Sequence, residues 1–299
     1  MTEETLSGEE LAQWRNWAKQ KAIASRISPT EVDWLLQEVA NLTPLDLRLN
    51  LFQERSQISL KYSLSQLTEL WQQRLNERLP VQYLVGVTPW RKFRLKVSHD
   101  VLIPRPETEY IIDIVQKAIL DTPLDLSGGN WVDLGTGSGA IALGLADLLT
   151  NATIYAVDTS LAALEIAEEN AIELGLKQRI IFKQGSWWDP LEFLKGQING
   201  MVSNPPYIPT EIIPTLQPEV AYHEPTLALD GGEDGLMSID YLVEISPFYL
   251  RSGGIWLIEM MAGQGKKVVQ LLENQGSYQN IQIFPDLAGI DRFVLAYLK

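Results

Sequence analysis

The sequence predicts an α/β fold, in which a mostly parallel β-sheet carries helices on both faces and follows a small helical bundle. Three observations predict it. From about residue 105, short apolar strand patterns alternate with helical patterns, which is typical of a parallel sheet. The last two strand patterns have no helix between them, which indicates an antiparallel hairpin at the sheet edge. The first 80 or so residues show helical apolar spacing.

Two helix starts organise the first segment, which we assign as a helical domain over residues 1–82. Ser28-Pro29-Thr30-Glu31 has the pattern of a capping box with proline at the first helical position. Ser63-Leu64-Ser65-Gln66 is a second start. Behind these starts, residues at helical spacing are Val32, Leu35, Leu36 and Val39, then Leu64, Leu67, Trp71 and Leu75.

The segment Arg91–Val97 alternates apolar and charged residues, so we predict a β-hairpin linker over residues 83–104 and a second domain over residues 105–299. The strands expected in that domain are Trp131–Leu134, Thr153–Val157, Ile180–Phe182, Met201–Ser203 and Gly254–Glu259. The helices expected between them are Thr108–Leu120, Gly139–Leu149, Ser160–Leu174, Gly235–Leu250 and Gln264–Glu273. The terminal hairpin is expected from Ile281–Phe284 and Phe293–Tyr297.

Composition restricts the partners and the location of the protein. The net charge is −14, and the first 85 residues hold 9 basic and 11 acidic residues, so the remainder carries −12. This balance argues against a nucleic-acid substrate and suits a basic protein partner. The chain contains no apolar run of about 20 residues, so we predict no membrane span. The acidic start Met1-Thr2-Glu3-Glu4 is unlike a secretory signal. With no cysteine in the chain, we expect a cytoplasmic protein without thiolate metal sites.

A glycine-rich turn follows the first strand of the predicted sheet, in the run Val132-Asp133-Leu134-Gly135-Thr136-Gly137-Ser138-Gly139. Glycines let a ligand approach the backbone closely, and a helix start offers free N–H groups. About 20 residues later the next strand ends in Asp158, whose carboxylate can hold two ribose hydroxyls. The pair predicts a nucleoside-containing cofactor bound by Gly135, Thr136, Gly137, Ser138, Gly139 and Asp158.

The spacing within the turn favours one cofactor over another. A dinucleotide fingerprint is G-x-G-x-x-G, whereas this turn is G-x-G-x-G and follows Asp133. A carboxylate there opposes a pyrophosphate but suits a ligand that carries an ammonium group. We therefore predict S-adenosyl-L-methionine, which has an ammonium group and no phosphate. The fold class becomes a Rossmann-like methyltransferase domain with a mostly parallel sheet.

Asn204-Pro205-Pro206-Tyr207 follows a buried strand of the same sheet, so it should face the cofactor. A planar NH₂ group is a weak nucleophile because its lone pair is delocalised. The Asn204 side-chain oxygen and the Pro205 carbonyl can accept its hydrogen bonds and favour positive charge on the nitrogen. Pro205 and Pro206 fix the loop, and Tyr207 can stack on the planar group. This motif predicts methyl transfer to an amide or amine nitrogen.

Two tryptophans and two histidines are the remaining candidates. Trp187 and Trp188 follow the third strand, where one of them could stack on an adenine or simply belong to the core. His99 and His223 are the only histidines, and two isolated histidines do not make a zinc site, so no metal is predicted.

Several longer stretches resemble the HemK/PrmC family of methyltransferases, which modify the glutamine of peptide chain release factors. The resemblance runs nearly end to end and is most specific at Leu102-Ile103-Pro104-Arg105-Pro106-Glu107-Thr108-Glu109, with the Asn204–Tyr207 loop as its second element. The other matching stretches are Pro80–Gly86, Glu219-Val220, Glu224-Pro225, Ala228–Gly232, Asp286–Gly289 and Asp291-Arg292.

This resemblance implies a specific reaction. Trp187 would lie at the adenine, Asn204 would touch both cofactor and substrate, and a glutamine side chain would enter the Asn204–Tyr207 loop. Its nitrogen N5 would be methylated in the Gly-Gly-Gln motif of a release factor. The helical domain would recognise that partner, and the enzyme is expected to be a monomer with no stable nucleic acid and no membrane contact.

Two other functions remain open from the residues alone. One is methylation of an exocyclic amine on a DNA or RNA base, which needs a flipped base and a basic surface near the Asn204 loop. The other is an adaptor that binds the cofactor without catalysis, against which the intact substrate loop argues.

Overall fold

The computed structural model describes residues 4–299. The interpretation of the acidic start as unlike a secretory signal rests on Met1–Glu3, which lie outside the described residues. The chain divides into two compact units, the first ending at Gly86 and the second comprising Val87–Lys299. The segment that we predicted as a linker spans this division, and its hairpin belongs to the second unit.

Helices make up most of the first unit, as predicted. They are α1 Gly8–Ala24, α2 Thr30–Ala40, α3 Pro44–Arg48, α4 Leu64–Asn76 and α5 Val81–Val85. Two short strands that we did not predict, β1 Glu4–Leu6 and β2 Ile58–Leu60, pair antiparallel. The unit has its own core, in which Phe52 and Trp71 are fully buried.

Helices α2 and α4 begin where the two helix starts were predicted, but only one of the two capping boxes forms. The Ser63 hydroxyl accepts the Gln66 N–H at 3.2 Å and the Gln66 side chain accepts the Ser63 N–H at 3.0 Å, which is a capping box. The capping box predicted at Ser28 does not form. The Glu31 carboxylate pairs instead with the buried Arg74 at 2.6 Å, and a charge-assisted pair of this kind is stronger than a cap.

The second unit contains the predicted alternation of strands and helices. Its strands are β3 Val87–Trp90, β4 Phe93–Lys96, β5 Gly128–Leu134, β6 Asn151–Asp158, β7 Ile180–Gln184, β8 Ile198–Ser203, β9 Leu250–Glu259, β10 Tyr278–Pro285 and β11 Asp291–Leu298. Its helices are α6 Tyr110–Asp121, α7 Ala140–Leu148, α8 Leu161–Glu173, α9 Pro218–Ala221, α10 Met237–Ile245 and α11 Gly265–Gln275. Strands β3 and β4 form a separate hairpin; the predicted strand starts later than Arg91, which lies in the turn with φ of 51°.

Within residues 128–298, seven strands form one sheet in the order β10-β11-β9-β8-β5-β6-β7. Strands β5 to β9 are parallel, whereas β11 pairs antiparallel with both β9 and β10. The Rossmann-like fold class and the antiparallel hairpin at the edge are therefore confirmed. Chain order reverses between β5 and β8, and ligands of such sheets bind at that switch point.

The sheet is covered on both faces, which explains the apolar strand patterns. Trp131 and Ile154 enter one core, and their neighbours Val132 and Tyr155 enter the other. Among residues 4–299, no helix is both long and apolar enough to cross a membrane. The carboxyl ends of the parallel strands β5 to β9 meet at one edge, and the predicted site residues lie at or just after the ends of β5, β6, β7 and β8.

Candidate functional site

The glycine-rich turn joins β5 to α7, and its backbone N–H groups are mostly satisfied within the protein. The Gly135 and Thr136 N–H groups both donate to the Val157 carbonyl at 2.9 Å. The Gly137 N–H donates to the Asp158 carboxylate at 2.9 Å, and the Gly139 N–H donates to the Thr136 carbonyl at 2.8 Å. The expectation of free N–H groups is therefore wrong for these four positions, because the turn folds back on itself and on β6.

Asp133 supports the turn from the protein interior. Its carboxylate is fully buried, and one oxygen accepts the Thr136 hydroxyl at 2.6 Å and the Ala142 N–H at 2.9 Å. The other oxygen has no hydrogen-bond partner. Burial raises the pKa of Asp133 to about 7, against the opposing effect of those two hydrogen bonds. An unpartnered buried carboxylate oxygen suits a nearby positive charge and opposes a phosphate.

The turn is open to solvent or ligand beside two of its glycines. A side chain on Gly137 would meet no atom within 4 Å, and one on Gly135 would meet the Trp187 ring at 3.7 Å. Ser138 is buried, and its carbonyl accepts the Asn170 amide at 2.9 Å. The exposed part of the turn is thus glycine backbone with an aromatic ring beside it.

Asp158 and Trp187 border this opening. Both oxygens of Asp158 accept backbone N–H groups, one from Gly137 and the other from Ser160, each at 2.9 Å. Burial raises the pKa of Asp158 above its usual value. Trp187 is half-buried with φ of 46°, a conformation that bulky residues rarely adopt and that often marks a ligand site. Trp188 differs: it is fully buried and stacks on Tyr249 at 4.4 Å.

These observations fit S-adenosylmethionine. Glycine backbone, an aromatic ring and a carboxylate are suited to methionine, adenine and ribose, respectively. A pyrophosphate would need the N–H groups that Val157 and Asp158 already occupy.

The Asn204–Tyr207 loop leaves β8 next to the glycine turn. Ser203 pairs with Leu134 across the two parallel strands, and its hydroxyl donates to the Leu134 carbonyl at 2.6 Å. The two loops therefore begin side by side. Asn204 is half-buried, Pro205 is buried, and Pro206 and Tyr207 are partly exposed.

A hydrogen-bonded group that we did not predict lies behind this loop. The Thr108 hydroxyl donates to the Glu259 carboxylate at 2.6 Å, and the Asn204 amide nitrogen lies 3.4 Å from the Thr108 hydroxyl. The Tyr207 hydroxyl reaches the second Glu259 oxygen at 3.1 Å. Burial raises the pKa of Glu259 to about 7, and burial together with Glu259 raises the pKa of Tyr207 well above its usual value.

Two further contacts fix the surrounding segments. Arg105 pairs with the buried Glu224 at 2.5 Å, which joins the stretch before α6 to the segment after the Asn204 loop. Gln264 is buried and donates to the Tyr207 and Gly235 carbonyls, each at 3.1 Å. The backbone of the loop is therefore held at its far end.

The fold brings together the glycine turn, Asp158 and Trp187 on one side and the Asn204 loop on the other. Sequence reasoning missed Thr108 and Glu259 as parts of the site. Their signals were present: Thr108 belongs to the distinctive stretch before α6, and Glu259 ends the strand next to β8. Among residues 4–299, no group of three or more His, Cys, Asp or Glu side chains is arranged to bind a metal. A cavity of about 700 Å³ between α6 and β10 contains none of the predicted site residues.

Comparisons with known proteins agree with this geometry. Residues 109–213 match the family model described as "Methyltransferase small domain". The chain is 54% identical to the release factor glutamine methyltransferase of Synechocystis sp. over 97% of each chain. It is 47% identical to the protein of that name from Thermosynechococcus vestitus, over 97% of this chain and 99% of the relative.

Among solved structures, the hMettl16 catalytic domain, determined in complex with the MAT2A 3′UTR hairpin 6, superposes with a TM-score of 0.54. The alignment covers 81% of this chain and 84% of that one at 15% identity. A likeness at this identity shows a shared fold.

Proposed function

The chain belongs to the release factor glutamine methyltransferases, and from that membership we propose that it methylates the side-chain amide nitrogen N5 of the glutamine in the Gly-Gly-Gln motif of peptide chain release factors. Its methyl donor is S-adenosyl-L-methionine. One observation carries the proposal: the Asn204–Tyr207 loop starts beside the glycine turn, since Ser203 and Leu134 are paired residues of adjacent strands. An acceptor held by one loop would therefore lie next to a cofactor held by the other.

We propose that the cofactor is held by Gly135, Thr136, Gly137, Ser138, Gly139, Asp158, Trp187 and Asn204. Thr136 and Ser138 would contribute van der Waals contacts of their backbone, because the Thr136 N–H and hydroxyl are already bonded to Val157 and Asp133 and because Ser138 is buried. Asp158 would accept ribose hydroxyls with the lone pairs that Gly137 and Ser160 leave over. When bound, S-adenosylmethionine supplies a methyl group on a positively charged sulfur.

The substrate side of the site would activate a poor nucleophile without a strong base. The Asn204 side-chain oxygen and the Pro205 carbonyl each accept a hydrogen bond from one N–H group of the glutamine amide. These two hydrogen bonds orient the amide nitrogen and stabilise the positive charge that develops on it. Pro205 and Pro206 lack N–H donors and restrict the loop. The Tyr207 ring stacks on the amide plane, and one amide proton passes to water once the nitrogen carries the methyl group.

The helical unit and the net charge also bear on the partner and on the oligomeric state. We assign recognition of the release factor to the helical unit, and the net charge of −14 favours a basic protein surface over a nucleic acid. A single chain supplies the glycine turn, Asp158 and the Asn204 loop, so a monomer suffices. A release-factor substrate implies action where translation takes place, which we take to be the cytoplasm.

Methyl transfer from labelled S-adenosylmethionine tests the proposal, with purified release factor and duplex DNA offered in separate reactions. We expect label on the release factor and, after peptide mass mapping, on the glutamine of the Gly-Gly-Gln motif. A release factor with that glutamine changed to asparagine is the matched control and should take no label. Label on DNA alone would replace the proposal with base methylation, and cofactor binding without transfer to either would indicate an adaptor.

A further inference from the structure

Thr108 lies between a buried carboxylate and the proposed substrate-binding amide. Its hydroxyl is 2.6 Å from one Glu259 oxygen and 3.4 Å from the Asn204 amide nitrogen. Thr108 is 4% exposed and Glu259 is fully buried, so water does not compete for these contacts. Thr108 lies in the turn just before α6, Asn204 directly follows β8, and Glu259 is the last residue of β9.

The direction of each hydrogen bond follows from the donors available. An ionised carboxylate only accepts, so the single proton of the Thr108 hydroxyl points at Glu259. The Thr108 oxygen then presents only lone pairs to Asn204. Of the two ends of the Asn204 amide, only the NH₂ end can bond to a lone pair.

We infer that Thr108 and Glu259 are positioning residues that fix the orientation of the Asn204 amide, so that its oxygen faces the substrate. The inference rests on the proposed function, in which the Asn204 oxygen accepts a hydrogen bond from the glutamine NH₂. If the amide were reversed, two NH₂ groups would face each other and the substrate bond would be lost. Neither residue needs to touch the substrate for this effect.

The ionisation of Glu259 offers a second readout. Burial raises the pKa of Glu259 to about 7, and the charged or titratable groups around it are Tyr207, Glu107 and Arg292. A protonated Glu259 can donate to the Thr108 oxygen, which frees the Thr108 proton to point at Asn204 and favours the reversed amide. Activity should therefore fall as the pH drops below about 7.

Three variants of the full-length protein test the role of the Thr108 hydroxyl. Thr108→Val keeps the shape and removes the hydroxyl, and Thr108→Ser keeps the hydroxyl. Thr88→Val is the matched control, since Thr88 in β3 is also 4% exposed. The measurements are kcat and KM for methyl transfer to release factor, together with the Kd of S-adenosylmethionine, which also reports correct folding.

We expect Thr108→Val to lower kcat about tenfold or more, with KM and the cofactor Kd changed by less than about threefold. Thr108→Ser should restore most of kcat, and Thr88→Val should stay within about threefold of the natural protein. Equal values of kcat for Thr108→Val and Thr88→Val would overturn the inference.

Glu259→Gln tests the same inference without Thr108. Its pH profile should lose the fall in kcat below pH 7, because an amide at this position does not titrate; an unchanged profile would overturn the inference. This variant decides the question if Thr108→Val fails to bind cofactor. The unmodified protein is assayed in parallel. If it transfers no methyl group, the proposed function itself is refuted.

Discussion

The Tyr207 hydroxyl donates a hydrogen bond of 3.1 Å to the Glu259 carboxylate, so the ring proposed to stack on the substrate is anchored to the end of β9. The Tyr207 carbonyl accepts the Gln264 side chain at 3.1 Å. Ring and backbone are thus held by two different elements. Because the loop is already fixed, its oxygen acceptors lose little conformational entropy when the substrate binds.

Tyr207→Phe keeps the ring and removes the donor to Glu259. Burial already raises the pKa of Glu259 to about 7, and loss of a donor to the charged form should raise it further. The protein gains protons on folding over this range, so its stability falls as the pH rises through that pKa. We expect the variant to lose about 1 to 3 kcal/mol of unfolding free energy at pH 8 and less at pH 5.5. Urea denaturation at both pH values measures this, and an equal loss at both would contradict the assignment.

Asn204→Ala removes the proposed oxygen acceptor while leaving most of the cofactor contacts. We expect kcat to fall about 100- to 1000-fold, as with loss of a donor or acceptor aimed at developing charge, while the cofactor Kd changes by about threefold or less. Asn199→Ala is the matched control, because Asn199 is a buried asparagine at the other end of β8, where it bonds to the Gly128 carbonyl. Equal losses in turnover and cofactor affinity would refute the role of Asn204.

Asp158→Ala should act on the cofactor rather than on the chemistry. Loss of the hydrogen bonds that a charged carboxylate accepts from the ribose hydroxyls should weaken S-adenosylmethionine binding about 10- to 100-fold. The value of kcat at saturating cofactor should change little. Asp147→Ala, which removes a surface carboxylate paired with Lys92, provides the control. Calorimetric titration measures the affinity, and an unchanged Kd would remove Asp158 from the binding site.

Adjacent tryptophans should give opposite phenotypes. Trp188 is fully buried against Tyr249, so Trp188→Ala should cost about 3 to 5 kcal/mol of stability. Trp187 borders the glycine turn, so Trp187→Ala should weaken cofactor binding about tenfold at a much smaller cost in stability. Trp187→Phe should restore part of the affinity. Thermal unfolding and cofactor titration of the three variants separate the two roles, and a reversed pattern would show that Trp187 is a packing residue.

Periodic features of this chain could be predicted from the sequence, because each is recorded in neighbouring residues. The strand pattern Trp131–Leu134 lies inside β5, which extends back to Gly128, where two glycines and Asn130 continue the pairing with β6 without an apolar pattern. The three-residue strands β1 and β2 are too short for a period, and they were missed. The capping box at Ser28 failed because Glu31 has a partner, Arg74, 43 residues away.

The same limit applies to the site. The glycine turn, Asp158 and the Asn204 loop follow from one rule about the carboxyl ends of parallel strands. Thr108 and Glu259 are 151 residues apart, and their contact exists only after α6 and β9 have packed together. Spacing alone does not separate Trp187 from Trp188; the structure distinguishes them by the full burial of Trp188 against Tyr249 and by the φ of 46° at Trp187.

Asp133→Asn should trade cofactor affinity for stability. An asparagine oxygen can still accept the Thr136 hydroxyl and the Ala142 N–H, and the variant no longer buries a charge. The pKa of Asp133 is raised to about 7, so its contribution to stability is full below its unfolded value and is lost as the pH rises through 7. We expect Asp133→Asn to be more stable than the natural protein by about 1 to 3 kcal/mol at pH 8 and no more stable at pH 4.

Binding of two ligands to the Asp133→Asn variant tests the role of the buried carboxylate. If the Asp133 carboxylate compensates an ammonium group, Asp133→Asn should bind S-adenosylmethionine about tenfold more weakly at pH 8. Methylthioadenosine, which has the adenosine and no ammonium, should bind both proteins equally. Equal weakening of the two ligands would mean that Asp133 acts only by shaping the turn through Thr136. A loss confined to the ammonium-bearing ligand would show that the protein retains a destabilising buried carboxylate because its cofactor needs the charge.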